Sequence, residues 1–584
     1  MRIRSSLLYL LPYLKRYRAG VWLGFGMIGC TVAAGMISPW VLKYVVDDIQ
    51  TAFAPERLPR YAALIVGVSV VEGFFRYWMR KILIGVSRQI EYDLRNDFFA
   101  HLQKMSLSFF QSHSTGDIMS RATNDLNAVR SVLGPGIMYS VTTVITAVIT
   151  TAILLRLNWR LTILAYIPLV LASLSVKQIG RQIHDRFEEI QEQFSHISTQ
   201  VQESLSGIRV VKAFAREESE IGAFETLNRE YVRRSVSLIR LWGLFYPLLS
   251  ALIGLSAAAL LWYGGREVIA GHLTLGEFVA FLAYLALLTW PTIATGWVIN
   301  IFQRGAASMD RILRILQMEP EIRDLPGSRA PQEVPGGLEI RDLTFRYPNS
   351  ERWVLRGINL ALPPGQILAI VGQTGAGKST LINLIARLFD PAPGTVFIDG
   401  RDVRQWPLQD LRRVIGYVPQ ETFLFSDTIR ANILFGSHDR IAEQETGRVI
   451  RIAAIDDDIS GFPDGLQTFV GERGITLSGG QKQRIAISRA VIKAPKILIL
   501  DDALSSVDTY TEERILQSLQ EVMRDRTTII VSHRISTVRG AHQIIVLQDG
   551  AIVERGNHET LMSCGGAYAA LYQKQLLEEE LATA

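Results

Sequence analysis

One glycine-rich segment of this sequence has the residue types that bind phosphate groups. It reads Gly372-Gln-Thr-Gly-Ala-Gly-Lys-Ser-Thr380 and follows directly after an apolar stretch, Ile367–Val371. Glycines let backbone N–H groups close around phosphate oxygens, and the N-terminus of a following helix adds positive charge. The pattern therefore predicts a strand, a phosphate-binding loop and a helix over Leu381–Leu388. We expect its nucleotide contacts from Gly372, Thr374, Gly375, Gly377, Lys378, Ser379 and Thr380.

Metal binding beside this loop would involve a hydroxyl group and a carboxylate. In loops of this type the lysine, here Lys378, reaches the terminal phosphates, and the hydroxyl of Ser379 coordinates Mg²⁺. A second apolar stretch, Lys496–Leu500, predicts a buried strand that delivers Asp501 and then Asp502. Ligands bind at the carboxyl ends of the strands in parallel α/β sheets. We therefore expect Asp501 to be the carboxylate on the Mg²⁺ side of the site.

A second glycine-rich turn, Leu477-Ser-Gly-Gly-Gln481, precedes a predicted helix over Lys482–Val491. Its pattern is again typical of an anion site at the start of a helix. One nucleotide does not need two phosphate-binding turns in the same chain. The second turn is explained if it closes over a nucleotide that a partner chain holds.

The elements that must position these residues differ between the two halves of the 584-residue chain. Residues 1–305 contain long apolar runs, whereas residues 335–584 have the pattern of a soluble α/β domain. The segment Arg323–Gly337 is rich in Pro, Gly and charge, which is typical of a linker. The predicted fold class is an all-α transmembrane domain of six helices, at 1–322, fused through the linker 323–337 to an α/β P-loop NTPase domain at 338–584.

Six apolar stretches have lengths near the roughly 20 residues that a membrane-spanning helix needs. Lys and Arg concentrate before the first stretch, after the second and after the fourth, which places those three segments inside the cell. Within the second stretch, Glu72 and Arg76 are spaced to pair on one helix face, and a role in a substrate path is the alternative. The six predicted spans are Val21–Val46, Tyr61–Val86, Leu133–Leu155, Leu161–Val176, Trp242–Tyr263 and Phe278–Phe302.

The order and spacing of these motifs resemble the ATP-binding cassette of ABC transporters. From about Leu7 to Leu571 the chain resembles a half-transporter of the type IV multidrug-exporter fold, with ATP and Mg²⁺ as the implied cofactors. By this resemblance Tyr347 stacks on adenine, and Gln420 contacts Mg²⁺ and senses the membrane domain. It also implies that His533 senses the γ-phosphate and that Asp508 lies in a loop crossing a dimer interface. The residues implied to close over the partner's nucleotide are Ser478, Gly479, Gly480 and Gln481.

Asp502 departs from the family pattern, in which Glu at this position polarises the attacking water. Asp withdraws the carboxylate by one C–C bond, about 1.5 Å, and a misplacement of that size can cost on the order of 100-fold in rate. The sequence therefore predicts slow hydrolysis at the catalytic group formed by Asp502, His533 and Gln420. It favours a heterodimer whose other half-transporter carries Glu and an altered signature. A homodimer with two slow sites remains the alternative.

The resemblance implies ATP-driven, alternating-access export of amphiphilic substrates such as drugs or lipids across the cell membrane. The expected partners are the second half-transporter, membrane lipid and an amphiphilic small molecule, with the ATP-binding domain in the cytoplasm. A net charge of +5, from 61 basic and 56 acidic residues, does not suggest a nucleic-acid binder. An ATP-gated channel or a regulatory membrane ATPase is the alternative class, and the apolar spans do not identify the substrate.

Overall fold

The computed structural model describes residues 6–51, 55–348, 350–437, 443–474, 476–507 and 509–583. It divides into two compact units. The first, which we call the helical unit, contains residues 1–102 and 116–318. The second, which we call the sheet unit, contains residues 319–584 together with the short segment 103–115. That segment therefore belongs to a different unit from the residues on both sides of it in the chain.

The helical unit consists of long helices joined by short connections. The predicted spans continue as helix well beyond their apolar parts: α3 ends at Leu102, and α8 ends at Ser206. The helices of this unit are α1 (Leu11–Arg16), α2 (Arg18–Thr51), α3 (Leu58–Leu102), α5 (Thr115–Ser120), α6 (Leu126–Ser131), α7 (Ile137–Leu157), α8 (Trp159–Ser206), α9 (Ile208–Ala213), α10 (Glu217–Ile269) and α11 (Leu275–Leu316).

Within the described residues, five helical stretches are long and apolar enough to cross a membrane. They correspond to the predicted spans except the fourth, Leu161–Val176, which lies inside α8 and includes side chains outside the described part of the chain. The five are Arg18–Thr51, Pro55–Leu102, Thr115–Leu157, Glu217–Ile269 and Leu275–Leu316.

Charged side chains inside the helical unit pair with one another. The predicted pairing is confirmed, because a guanidinium N–H of Arg76 donates to a carboxylate oxygen of Glu72 on the same face of α3. At the C-terminal end of α2, Lys43 Nζ lies 2.9 Å from Glu277 Oε1 at the start of α11. Pairing of this kind lowers the cost of carrying ionisable groups in a membrane segment.

The sheet unit contains two sheets. The first has four antiparallel strands in the order β2-β1-β4-β5, and the second has six strands in the order β10-β9-β3-β8-β7-β6. All pairs of the second sheet are parallel except β9 with β10. The strands are β1 (Leu338–Phe345), β2 (Leu355–Leu362), β3 (Ile367–Gly372), β4 (Val396–Ile398), β5 (Arg401–Asp402), β6 (Ile415–Val418), β7 (Ile497–Asp501), β8 (Thr527–Val531), β9 (Gln543–Gln548) and β10 (Ala551–Gly556).

Helices cover both faces of the six-stranded sheet. Alternate residues of each central strand enter two separate cores, so that Ile497 and Ile499 of β7 face one core and Leu498 and Leu500 face the other. Burial on both faces is typical of parallel strands and explains their unbroken apolar sequences. All the helices of the sheet unit are α4 (Leu107–Ser112), α12 (Lys378–Ile385), α13 (Leu408–Val414), α14 (Ile429–Leu434), α15 (Glu443–Ile452), α16 (Asp456–Gly461), α17 (Gly479–Val491), α18 (Thr509–Met523), α19 (Ile535–Val538), α20 (His558–Cys564) and α21 (Ala567–Thr583).

The strand–loop–helix and turn–helix patterns of the sequence are confirmed, but three predicted helix boundaries are wrong. The helix after the phosphate-binding loop begins at Lys378 rather than Leu381 and ends at Ile385 rather than Leu388. The helix after the second glycine-rich turn begins at Gly479 rather than Lys482. In both cases the residues expected to bind phosphate already belong to the first helical turn, where the N–H groups have no partner within the helix.

Candidate nucleotide site

The phosphate-binding loop connects β3 to α12 through backbone conformations that glycine alone adopts easily. Gly377 has a φ of +101°, and a Cβ atom there would stand 2.8 Å from Leu355 Cδ2. Gly375 has a φ of +82°, and a Cβ atom there would meet no other atom within 4 Å. The loop therefore follows a path that side chains would disturb.

Lys378 lies back across this loop. Its ammonium group donates to the carbonyl oxygens of Gly372, at 2.8 Å, and Gln373, at 3.0 Å. Burial lowers the pKa of Lys378, while the charges of Asp501 and Asp502 raise it. A phosphate group fits this arrangement, because anionic oxygens are stronger acceptors for a buried ammonium than neutral carbonyls are.

A hydroxyl and a buried carboxylate meet beside the lysine. Ser379 Oγ lies 3.4 Å from Asp501 Oδ1, and Asp501 is only 3% exposed. Burial raises the pKa of Asp501, and the charge of Asp502 acts in the same direction, while Ser379 and Lys378 lower it. A carboxylate buried in this way suits a cation, and one carboxylate with a hydroxyl is the sparse protein ligand set typical of Mg²⁺ bound with phosphates.

Gln420 reaches the same edge of the sheet. It follows β6, which pairs in parallel with β7, and Val418 lies opposite Leu500. Its side chain is exposed. Among the described residues, no group of three His, Cys, Asp or Glu side chains could hold a metal ion by itself. A bound Mg²⁺ would therefore depend on Ser379, Asp501 and Gln420 together with the phosphate oxygens.

Asp502 and His533 extend from neighbouring strands. Asp502 adopts a left-handed φ of +48°, and its N–H donates to Val531 O at 2.8 Å, which ties the end of β7 to the end of β8. His533 lies two residues after Val531, the last residue of β8. Partial burial lowers the pKa of His533, the charge of Lys378 lowers it further, and Asp502 opposes both. Lys378 and Asp502 therefore lie close enough to His533 to shift its pKa.

We expect a pH dependence of stability from His533. Its pKa in the folded chain lies below the usual 6.5, so the unfolded chain binds more protons between that lowered pKa and 6.5. The free energy of unfolding should therefore fall as the pH drops through this window. Thermal unfolding of the nucleotide-free chain at several pH values, compared with His533→Gln, measures the effect. Equal pH slopes in the two proteins would contradict the assignment.

Tyr347 and Thr380 are hydrogen-bonded to each other. The sequence predicts a contact of Tyr347 with adenine and a contact of Thr380 within the phosphate-binding loop. The Tyr347 hydroxyl lies 2.9 Å from Thr380 Oγ1, and its half-buried ring packs edge-to-face on Phe389 with centroids 5.1 Å apart. The ring is thus fixed next to the first turn of α12. This placement would hold an aromatic face beside the phosphate-binding loop.

The second glycine-rich turn forms a complete helix cap. Ser478 Oγ accepts from the Gln481 N–H at 3.3 Å, and Gln481 Oε1 accepts from the Ser478 N–H at 2.9 Å. Gln481 Nε2 also donates to Asp458 Oδ1 at 2.7 Å. A Cβ on Gly480 would stand 2.9 Å from Ser506 O. Gly479 and Gly480 therefore let this helix start pack against the segment after Asp502. Asp508 lies outside the described residues.

Sequence reasoning missed Gln483, which joins this helix to the turn Ser505–Ser506 that follows Asp502. Gln483 is 2% exposed. Its Nε2 donates to Ser505 Oγ at 3.0 Å, and its Oε1 accepts from the Ser506 N–H at 3.0 Å. The signal was a polar residue on the helix face that also carries Ile487, since a buried amide is found where it has specific partners.

Replacing Gln483 with Leu should destabilise the chain by about 1–3 kcal/mol, because the partly buried N–H of Ser506 loses its acceptor. Thermal or denaturant unfolding measures this cost. Gln517→Leu on the exposed side of α18 is the matched control, and we expect it to change stability by less than about 0.5 kcal/mol. Equal effects of the two substitutions would show that the Gln483 contacts contribute nothing specific.

Comparison with known proteins gives the family. The model of the ABC transporter transmembrane region matches residues 21–292, and the ABC transporter model matches residues 355–505. The multidrug resistance-like ATP-binding protein MdlA of Escherichia coli (strain K12) is 38% identical over 94% of this chain and 92% of its own length. This chain belongs to the ABC transporter family. The ATP-dependent lipid A-core flippase of Syntrophus aciditrophicus (strain SB) is 36% identical over 94% of this ABC transporter and 92% of the flippase.

The fold of the whole ABC transporter chain has a solved counterpart. A bacterial Atm1-family ABC exporter with ATP bound matches with a TM-score of 0.78 at 29% identity, covering 96% of this chain and 98% of that one. The predicted fold class, membrane location and ATP hydrolase activity coupled to transport are thereby confirmed, with the ATP-binding domain on the cytoplasmic side. The roles of individual site residues and the nature of the partner subunit stay predictions.

Proposed function

We propose that this ABC exporter moves amphiphilic molecules, such as drugs or lipids, across the membrane as one half of a heterodimer with one slow ATP site. The observation that carries the proposal is the combination of a fully formed nucleotide site with the short carboxylate of Asp502. The similar MdlA protein is named for multidrug resistance, and the similar flippase for lipid A-core. One name refers to drugs and the other to a lipid, and both fall within the proposed substrate class.

The nucleotide site would work through the following contacts. Lys378 would exchange its two carbonyl partners for phosphate oxygens of ATP, and the N–H groups of the loop and of the first turn of α12 would donate to the same group. Ser379, Asp501 and Gln420 would hold Mg²⁺, which neutralises phosphate charge when bound. Tyr347 would cover the adenine. The remaining loop contacts belong to Gly372, Thr374, Gly375, Gly377 and Thr380.

Asp502 is the reason for a slow site. Its backbone is fixed by the hydrogen bond from its N–H to Val531 O at 2.8 Å, so the shorter side chain cannot recover its reach by a shift of the strand end. A general base must lie within hydrogen-bond distance of the proton that it takes. His533 and the turn Ser478–Gln481 are intact. We therefore infer that this chain binds ATP, senses it and completes the partner's site, but hydrolyses its own nucleotide slowly.

Transport would follow from closure of two ATP-binding domains. ATP binds between them and favours the closed pair, which shifts the equilibrium of the membrane helices towards an outward-open arrangement. Hydrolysis at the faster site then allows the domains to separate. Asp508 would lie in the loop that crosses the interface, and the turn Ser478–Gln481 would cover the partner's phosphates.

Co-expression tests the proposal. The chain alone, and the chain with a second half-transporter, are reconstituted in vesicles, and ATPase activity and amphiphile flux are measured together. The heterodimer predicts flux and amphiphile-stimulated ATPase activity only with the second subunit. Brisk hydrolysis and flux by the chain alone would establish a homodimer instead. A conductance that continues without ATP turnover would mean that the protein is a channel.

A further inference from the structure

The carboxylate of Glu321, two residues before the linker, binds the segment 103–115 within the sheet unit. Ser106 Oγ donates to Glu321 Oε2 at 2.9 Å, and Ser108 Oγ donates to the same oxygen. Ser106 occupies the N-cap position of α4, where a serine side chain ordinarily accepts from the helix backbone. It makes no such capping bond here. The hydroxyl of Ser106 thus binds Glu321, and lies 2.7 Å from the Ser108 hydroxyl, instead of capping the backbone of α4.

The linker behind Glu321 is fixed to the sheet unit at two further points. The carbonyl of Arg323 accepts from Arg387 Nη2 at 3.1 Å. Asp324 Oδ1 accepts from the Leu408 N–H at 2.8 Å at the start of α13. Between Glu321 and Arg323, Ile322 is 7% exposed. Residues 321–324, which lead into the linker, are therefore each hydrogen-bonded or buried.

Arg387 connects this linker to the phosphate-binding helix. The side chain is 1% exposed, and besides Arg323 it donates to Asp390 Oδ1 at 2.7 Å and to the Trp406 carbonyl at 3.2 Å. Arg387 lies two residues after Ile385, the last residue of α12, which begins at Lys378. A fully buried guanidinium with every partner in place is costly to disturb, so a displacement of the linker is transmitted to the end of α12.

We propose that Glu321 is a positioning residue that fastens the inner segment 103–115 to the ATP-binding domain of its own chain, and that Arg387 transmits the position of the linker to α12. The inference rests on the proposed export function, because it explains how a movement of the helices on either side of 103–115 reaches the phosphate-binding loop. It requires no residue of the partner subunit. Glu321 does not touch nucleotide and has no chemical role.

The test uses Glu321→Ala in the assembled transporter, with Glu319→Ala as the matched control. Glu319 lies two residues away, is exposed, and pairs only with the exposed Arg323 side chain among the described residues. We expect basal ATPase activity to stay unchanged in both variants. Amphiphile-stimulated activity should fall about fivefold in Glu321→Ala alone, because two hydrogen bonds to a carboxylate are lost at a partly exposed site. The double variant Ser106→Ala, Ser108→Ala should reproduce that loss, and combining it with Glu321→Ala should add nothing further.

Amide hydrogen exchange gives a readout that needs no substrate. In the unmodified transporter, exchange of Leu107–Ser112 should differ between the ATP-bound and nucleotide-free states, and Glu321→Ala should abolish that difference while Glu319→Ala keeps it. If no amphiphile stimulates the unmodified protein, the proposed substrate class fails, and the exchange measurement still decides the attachment. Nucleotide-dependent exchange that survives in Glu321→Ala would overturn the inference.

Discussion

Asp502→Glu should raise ATP hydrolysis at this chain's own site in the reconstituted transporter on the order of 100-fold, because the longer side chain restores the general base to hydrogen-bond reach of the attacking water. The other residues that this chain is predicted to contribute lie around the same loop: Lys378, the buried Asp501 next to Ser379, and His533. ATPase activity in lipid, measured for the two proteins side by side, gives the result.

A matched control exists for the backbone at this position. Asp502 has a left-handed φ of +48°, and the exposed Asp549 in the turn between β9 and β10 has +47°. Asp tolerates this region better than Glu does, so both Asp→Glu substitutions carry the same kind of conformational cost. Asp549→Glu should leave hydrolysis unchanged. If Asp502→Glu gives no gain although the protein remains folded and binds ATP, the short carboxylate is not what limits the site.

Lys378→Met should weaken ATP binding by about 100-fold, since charge-assisted contacts to phosphate contribute roughly 1.5–3 kcal/mol each and every 1.4 kcal/mol is a factor of ten. The ammonium of Lys378 already lies inside the loop, against the carbonyls of Gly372 and Gln373. Equilibrium binding of a fluorescent ATP analogue to the reconstituted chain measures the loss, and hydrolysis should disappear with it.

Lys493 provides the control for a buried lysine. Burial lowers its pKa as it lowers that of Lys378, and Lys493 Nζ likewise donates to a carbonyl, that of Ile415, at 2.9 Å. That carbonyl belongs to the first residue of β6, at the opposite end of the strand from Gln420. Lys493→Met should reduce stability without changing the affinity for ATP. Equal losses of affinity in the two variants would mean that a general effect on folding, rather than phosphate binding, explains the result.

The local structure that the sequence predicted correctly lies where short spacing fixes geometry. Gly372 to Ser379 form a strand end, a loop and a helix start, and a sequence of this kind can fold locally in few other ways. Asp501 followed from the same logic, because a buried apolar strand must deliver its next residue to the edge of the sheet. The family could then be read from the order of these motifs.

Contacts between distant parts of the chain could not be predicted in the same way. Nothing in the spacing of Ser106 and Glu321 indicates that they meet, since their contact depends on how a helical hairpin and a linker pack in three dimensions. The hydrogen bond between Tyr347 and Thr380 and those made by Gln483 could not be predicted for the same reason. In each case a polar side chain finds its partner through the tertiary fold, and only its burial, once known, shows that a partner is required.

The length of the helices has a mechanical consequence. The helix Glu217–Ile269 contains 53 residues, which corresponds to about 80 Å at 1.5 Å per residue, whereas the hydrocarbon core of a bilayer is about 30 Å thick. If such a helix tilts about a point in the membrane, the part outside the bilayer is displaced in proportion to its length. A tilt of about 5° would move one end by about 7 Å relative to the other over that length, more than twice the length of a hydrogen bond. A slight rearrangement around a small substrate is thus enough to make or break contacts at the far end of the helix.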